Sequence, residues 1–162
     1  MSVYLSVAPP DGFSRWDDAD WDRWLRDHRW ESAERLCSSG DWAIFLYQVR
    51  QHSDRAKKML EPLLEQLVNE KPLSTQDAED FKAAIGAARG ELSQKPASQL
   101  AEAAKITPFA SGEDVETMIA AARTRLGREP TIAEVWAPVF DQLEAVLESA
   151  AKARRGVYFG NV

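Results

Sequence analysis

One cysteine, Cys37, and two histidines, His28 and His52, are all that the 162 residues contain of those types. A lone thiol excludes an internal disulfide and fits a reducing compartment. Neither histidine belongs to an HExxH pair and Cys37 has no CxxC mate, so no zinc-type spacing is present. GxSxG, the phosphate-cradling GxxxxGK[ST] and the dinucleotide GxGxxG are missing too. No catalytic residue, cofactor or metal is therefore expected. Long apolar runs are also absent. The longest, WAIFLY at 42–47, falls far short of the ~18 residues that a bilayer span requires. The opening MSVYLSVAPPDG lacks the basic and apolar regions of a signal peptide, so a cytoplasmic location is expected. Basic charge is in deficit, with 20 Lys and Arg against 26 Asp and Glu and a net charge of −6. This argues against the basic face that nucleic-acid binders need.

The patterning that is present is mostly helical. Val3, Leu5 and Val7 alternate with polar residues as in a strand until Pro9-Pro10. Residues 32–38 read as a short helix stopped by Gly40, and Asp41 reads as the cap of the next segment. That segment, residues 42–49, is apolar almost all round and fits a buried helix or a buried strand; the helix is preferred because of Asp41. A stripe from Ala56 to Val68 has helical spacing, with Pro62 expected to kink or break it. Ser74 to Asp77 resembles a capping box before the stripe Ala78, Phe81, Ile85, Ala88 and Leu92, in which Gly86 and Gly90 suggest close helix packing. Pro96 starts an alanine-rich helix to about Lys105. Ser111 is placed to cap a helix through Val115, Ile119, Ala122 and Leu126 that Gly127 stops. Thr131 to Glu134 is a capping box opening the last helix, which Pro138 can kink. Residues 157–159 form a closing strand, with one of Tyr158 and Phe159 packed on helices, the other exposed, and an edge able to accept a partner strand. A lone strand leaves its backbone polar groups unpaired, so the two terminal strands should pair. The expectation is a mainly α, helical bundle-like single domain spanning 1–162, with a minor β element joining the termini.

The densest local signal lies between Asp11 and Glu31. Four of the six tryptophans (Trp16, Trp21, Trp24, Trp30) sit there among seven acids and four arginines. A helix starting near Ser14 or Asp17 would place Asp17, Asp18, Asp20 and Asp22 at the favourable end of its dipole. Asp18, Asp20 and Asp22 begin like an EF-hand loop, but Arg23 and Arg29 hold the positions that need glycine and a bidentate glutamate. Trp24 and Trp30 point far apart on a helix. One face is thus expected in the core and an acidic, partly aromatic face elsewhere, available as a partner surface. An alternative reading is a small enzyme or ligand-binding domain using His28, Asp27 and Cys37.

With this acidic-aromatic block and the GVYFG end, a small acidic helical chain without catalytic motifs resembles in type the cognate immunity proteins of bacterial toxin systems. The resemblance implies a protein, not an enzyme, that neutralises a toxin by direct binding. It implies a partner with a basic binding face; from charge and the lack of long apolar runs, neither nucleic acid nor membrane is expected as partner. The contact residues it implies are Trp16, Asp17, Asp18, Asp20, Asp22 and Asp27, with Trp21, Trp24 and Trp30 adding indole area.

Overall fold

In the computed structural model, which describes residues 2–9, 15, 17–28, 34–100 and 112–161, the two terminal strands pair. β1 (Ser2–Val7) runs antiparallel to β3 (Val157–Asn161), with Leu5 opposite Phe159 and Ser6 opposite Tyr158. The alternation expected of a half-buried strand holds: Val3, Leu5, Val7, Val157 and Phe159 are buried on one face, and Tyr4, Ser6 and Tyr158 belong to the other.

A third strand, β2 (Glu34–Ser38), flanks β1 and gives the order β2-β1-β3. This corrects the helix expected over 32–38; residues 32 and 33 lie outside the described set. The reason is a bulge. Val3 pairs with Cys37 and Tyr4 with Arg35, so Leu36 is an extra residue in β2. Leu36 and Cys37 are both buried, and two adjacent inward residues erase the alternation by which a strand is recognised.

α2 (Ser39–His52) follows at once, settling residues 42–49 as helix. Its cap is Ser38, not Asp41: the Ser38 hydroxyl accepts from the Asp41 N–H at 3.1 Å and donates to the Asp41 carboxylate at 2.7 Å. Gly40 lies inside this helix rather than stopping an earlier one. α3 (Asp54–Leu60) is capped by the Ser53 hydroxyl. Pro62 breaks the stripe as expected, forcing a 3-10 turn over Glu61–Leu63 before α4 (Leu64–Val68).

α5 (Thr75–Leu92) is capped by Ser74 and buries Ala78, Phe81, Ile85, Ala88 and Leu92. Gly86 and Gly90 are exposed, and a Cβ on either would meet nothing within 4 Å, so neither serves close packing. After Pro96 comes only a 3-10 turn over Ala97–Gln99 and Leu100; the expected helix beyond it lies outside the described residues, as does the Ser111 cap. α6 (Gly112–Leu126) ends at Gly127, whose φ of +69 suits a residue without Cβ. Thr131 and Glu134 form the reciprocal capping box. The box opens only the short α7 (Ile132–Val135); Pro138 then sits in the first turn of the separate α8 (Ala137–Ala153), where its missing N–H costs nothing.

The fold is mainly α with a small antiparallel sheet. α8 lies across β1 and β2 and packs on α5. The core is aromatic at its centre. Phe45 has ring neighbours in Trp42, Trp136 and Phe140 at 5.7, 5.3 and 5.1 Å between centroids. Both buried indoles donate, Trp42 to the Leu67 carbonyl at 2.9 Å and Trp136 to the Gln48 side-chain oxygen at 2.6 Å, so neither N–H is left unsatisfied. Outside this core, Arg89 of α5 bridges Asp141 and Glu144 of α8 at 2.7 and 2.6 Å, its guanidinium over the Phe140 ring.

One buried polar atom sets a pH dependence. His52, at the end of α2, is half-buried and its Nε2 has no hydrogen-bond partner. Desolvation first, and the Lys95 charge second, lower its pKa below the usual 6.5. The unfolded chain therefore takes up a proton near pH ~6.5 that the folded chain resists, so stability falls as pH drops through that value. Urea midpoints measured between neutral and mildly acidic pH should fall more for the wild type than for His52→Gln. A difference between the two that stays constant with pH would refute this account.

Candidate functional site

α1 (Asp18–His28) carries the acidic tryptophan stretch. Asp17 stands just ahead of it, and its carboxylate accepts from the Asp20 N–H at 2.9 Å. Asp18 and Asp20 occupy the first turn, Arg26 and His28 the last, so both ends suit the dipole. Asp18, Asp20 and Asp22 are thus helical residues, not a loop that could wrap an ion.

The expectation that this helix sends one face into the core is not met by the side chains described. None of those on α1 is buried: Asp17, Asp18, Asp22, Asp27 and His28 are exposed, and Asp20, Trp21 and Trp24 are half-buried. α1 instead lies against the outer face of the sheet. Its anchor is Tyr158, the residue that the alternation of β3 turns away from the core. The Trp21 and Trp24 rings stand 5.8 and 5.5 Å from the Tyr158 ring and 6.3 Å from each other. Beneath them Ser6 is buried and hydrogen-bonded to Tyr158, whose pKa is raised chiefly by burial. Phe159 is the member of the pair that packs inward, 5.5 Å from Trp42. Tyr158 is therefore not exposed as expected but covered by α1. The far edge of β3 is partly closed as well, because Leu73 bridges to Val157.

Along α1 is a cleft of about 260 Å³, lined among the described residues by Asp20, Arg23, Trp24, Asp27 and His28. The His28 ring stacks on Trp24 at 5.2 Å, and its Nδ1 donates to the Trp24 carbonyl at 3.1 Å. Arg23 lies 3.7 Å from the Asp20 carboxylate, and both side chains are well exposed. The candidate contacts Trp16 and Trp30 lie outside the described residues. Of the other candidates, the structure brings Asp20, Trp24 and Asp27 to one cleft, sets Trp21 against Tyr158, and leaves Asp17, Asp18 and Asp22 exposed on or beside the same helix.

The His28, Asp27 and Cys37 alternative fares less evenly. His28 and Asp27 share the cleft, but Cys37 is in the core and does not line it. Burial, then the Asp41 charge, pushes its thiol up to about 12, so at neutral pH it holds its proton and is a poor nucleophile. No group of three or more His, Cys, Asp or Glu that could hold a metal ion occurs among the described residues, and none of the helices described is long and apolar enough to cross a membrane. A second cleft of about 450 Å³ lies beside α6, between Ser98, Ile119 and the Arg123–Glu129 ion pair.

Compared with known proteins, the chain matches no protein family, no curated protein and no solved structure.

Proposed function

We propose that this chain is a protein-binding inhibitor that docks a basic partner through the exposed side of α1, its specific form being neutralisation of a cognate bacterial toxin. The observation that supports this is the placement of α1. Its two described indoles face down onto Tyr158, while Asp17, Asp18, Asp22 and Asp27 face solvent. Residues 17–28 hold five aspartates and two arginines, so the helix projects a negative field from one side of the molecule. Such a field steers a basic partner and speeds its association, while the part of Trp24 that lines the cleft provides contact area.

The test is capture from the native host at low and high salt, with the wild type and with Asp18→Asn/Asp22→Asn/Asp27→Asn. Asp17 is left alone because it caps α1. The wild type should retain a basic protein that high salt releases, and the triple variant should retain it about tenfold less. Equal retention by both proteins at both salt levels would remove α1 as the docking surface.

A further inference from the structure

We propose that the cleft on α1 is a slot for an arginine side chain presented by the partner, and that Arg23 is its built-in occupant. The inference rests on α1 being the partner-binding face and names the chemistry that this face takes. Residues 20, 23, 24, 27 and 28 fall at spacings of three and four, so a single helix face carries all of them. Two carboxylates, Asp20 and Asp27, line the cleft together with the stacked Trp24 and His28 rings. Aromatic surface beside acceptor-only groups suits a planar cation with several in-plane donors, which stacks and hydrogen-bonds at once. An ammonium is a compact point charge and uses only the Coulomb part of such a site.

The cleft already holds this chemistry in miniature. The Arg23 guanidinium approaches Asp20, but at 3.7 Å it is beyond hydrogen-bond length, with the two side chains 71% and 43% exposed. A pair that loose and wet contributes little and is readily displaced. Asp27, by contrast, has no ion-pair partner among the described residues, so half of the cleft's negative charge is uncompensated. A metal ion is a poor fit, since Asp20, Asp27 and His28, although they line one cleft, are not grouped closely enough to hold one. An incoming arginine would pair with Asp27, lie over the rings and swing Arg23 aside. Arg23 therefore acts as a threshold, holding the slot against weak cations until a partner offers a guanidinium together with further contacts.

The slot can be read with no partner present, by following the Trp24 and His28 ring signals of the full chain in NMR titrations with butylguanidinium and butylammonium. Butylguanidinium should give saturable shifts at both rings, with butylammonium several-fold weaker. Asp27→Asn should weaken butylguanidinium by about threefold or more, and Arg23→Ala should strengthen it by a similar factor. Absence of saturable shifts, an equal response to butylammonium, or weaker binding by Arg23→Ala would each overturn the proposal. Partner capture that fails while butylguanidinium still behaves as stated leaves the slot standing and removes only the protein-partner reading. Capture that holds while the ring signals stay silent does the reverse.

Discussion

Alanine at position 156 is expected to cost about 3–5 kcal/mol of unfolding free energy, although it adds a single methyl group. Gly156 precedes β3 where the chain from α8 enters the sheet. A Cβ there would lie 2.0 Å from the Leu73 carbonyl oxygen and 3.0 Å from the Ser74 carbonyl carbon. These are backbone atoms, so no rotamer change relieves the clash, and one strand of chain must move. Neither moves cheaply. The Leu73 and Val157 backbones exchange hydrogen bonds of 2.8 and 3.2 Å, and the Gly156 carbonyl accepts from the Ala8 N–H at 2.8 Å. Leu73 and Val157 are fully buried, and Ser74 caps α5. Separation would thus loosen the bridge, the sheet and a helix start together. Gly160→Ala is the control, because its Cβ would meet only the Tyr4 side chain at 4.0 Å. Urea unfolding should show a large fall in midpoint with unchanged slope for Gly156→Ala and a small one for Gly160→Ala. Similar midpoints would mean that residues 73–74 do not approach residue 156 this closely.

Legibility of the fold in the sequence followed the clarity of periodicity. Val3, Leu5 and Val7 alternate without interruption, and the stripes ending at Leu92 and Leu126 hold their spacing to a recognisable cap or stop; each became the element that its pattern indicated. Pro62 acted by a local steric rule and needed no knowledge of the rest of the chain. What failed was of another kind. β2 could not be read because its bulge makes Leu36 and Cys37 neighbours on the inside, and a bulge exists only in relation to a partner strand. The same holds for Gly86 and Gly90, since whether a glycine admits a neighbour is decided by what lies opposite. Trp136 interrupts what reads as a single helix from Thr131 onward, and its indole instead reaches Gln48 across the core.

The candidate site was legible as composition but not as placement. Indoles and carboxylates on a helix were visible in residues 17–28, yet the direction of that helix was not. The signal that could have found it lay at the other end of the chain. Alternation in β3 puts Phe159 inside and Tyr158 outside, and an outward tyrosine beside the small Ser6 is a ready seat for aromatic side chains. Trp21 and Trp24 take that seat. An amphipathic helix thereby covers the second face of the sheet instead of joining the core, which leaves Asp18, Asp22 and Asp27 exposed.

Phe45→Ala should be the most damaging of the phenylalanine truncations in the core, costing about 4–5 kcal/mol, the upper part of the range for buried phenylalanine. The side chain is fully buried in α2. Area loss alone does not set it apart from Phe81 or Phe140; its neighbours do. Phe45 contacts Trp42 in a near-parallel stack of 21° and Trp136 and Phe140 edge-on at 68° and 75°, and edge-on or stacked pairs add about 0.5–1.5 kcal/mol each beyond burial. Those three rings come from two helices and the break between elements: Trp42 from α2, Trp136 from the break before α8, and Phe140 from α8 itself. They cannot all close the gap, because two are tethered: Trp42 donates to Leu67 and Trp136 to Gln48. Collapse onto the cavity would break a buried hydrogen bond, so the cavity stays largely open and its full cost is felt. In a chain of this length the loss corresponds to a fall in Tm of roughly 8–20 °C. Phe45→Leu retains most of the volume and should lose well under half as much. Calorimetry on the two variants decides the matter: comparable Tm values would mean that the aromatic centre relaxes around position 45, and that its indole hydrogen bonds do not hold it in place.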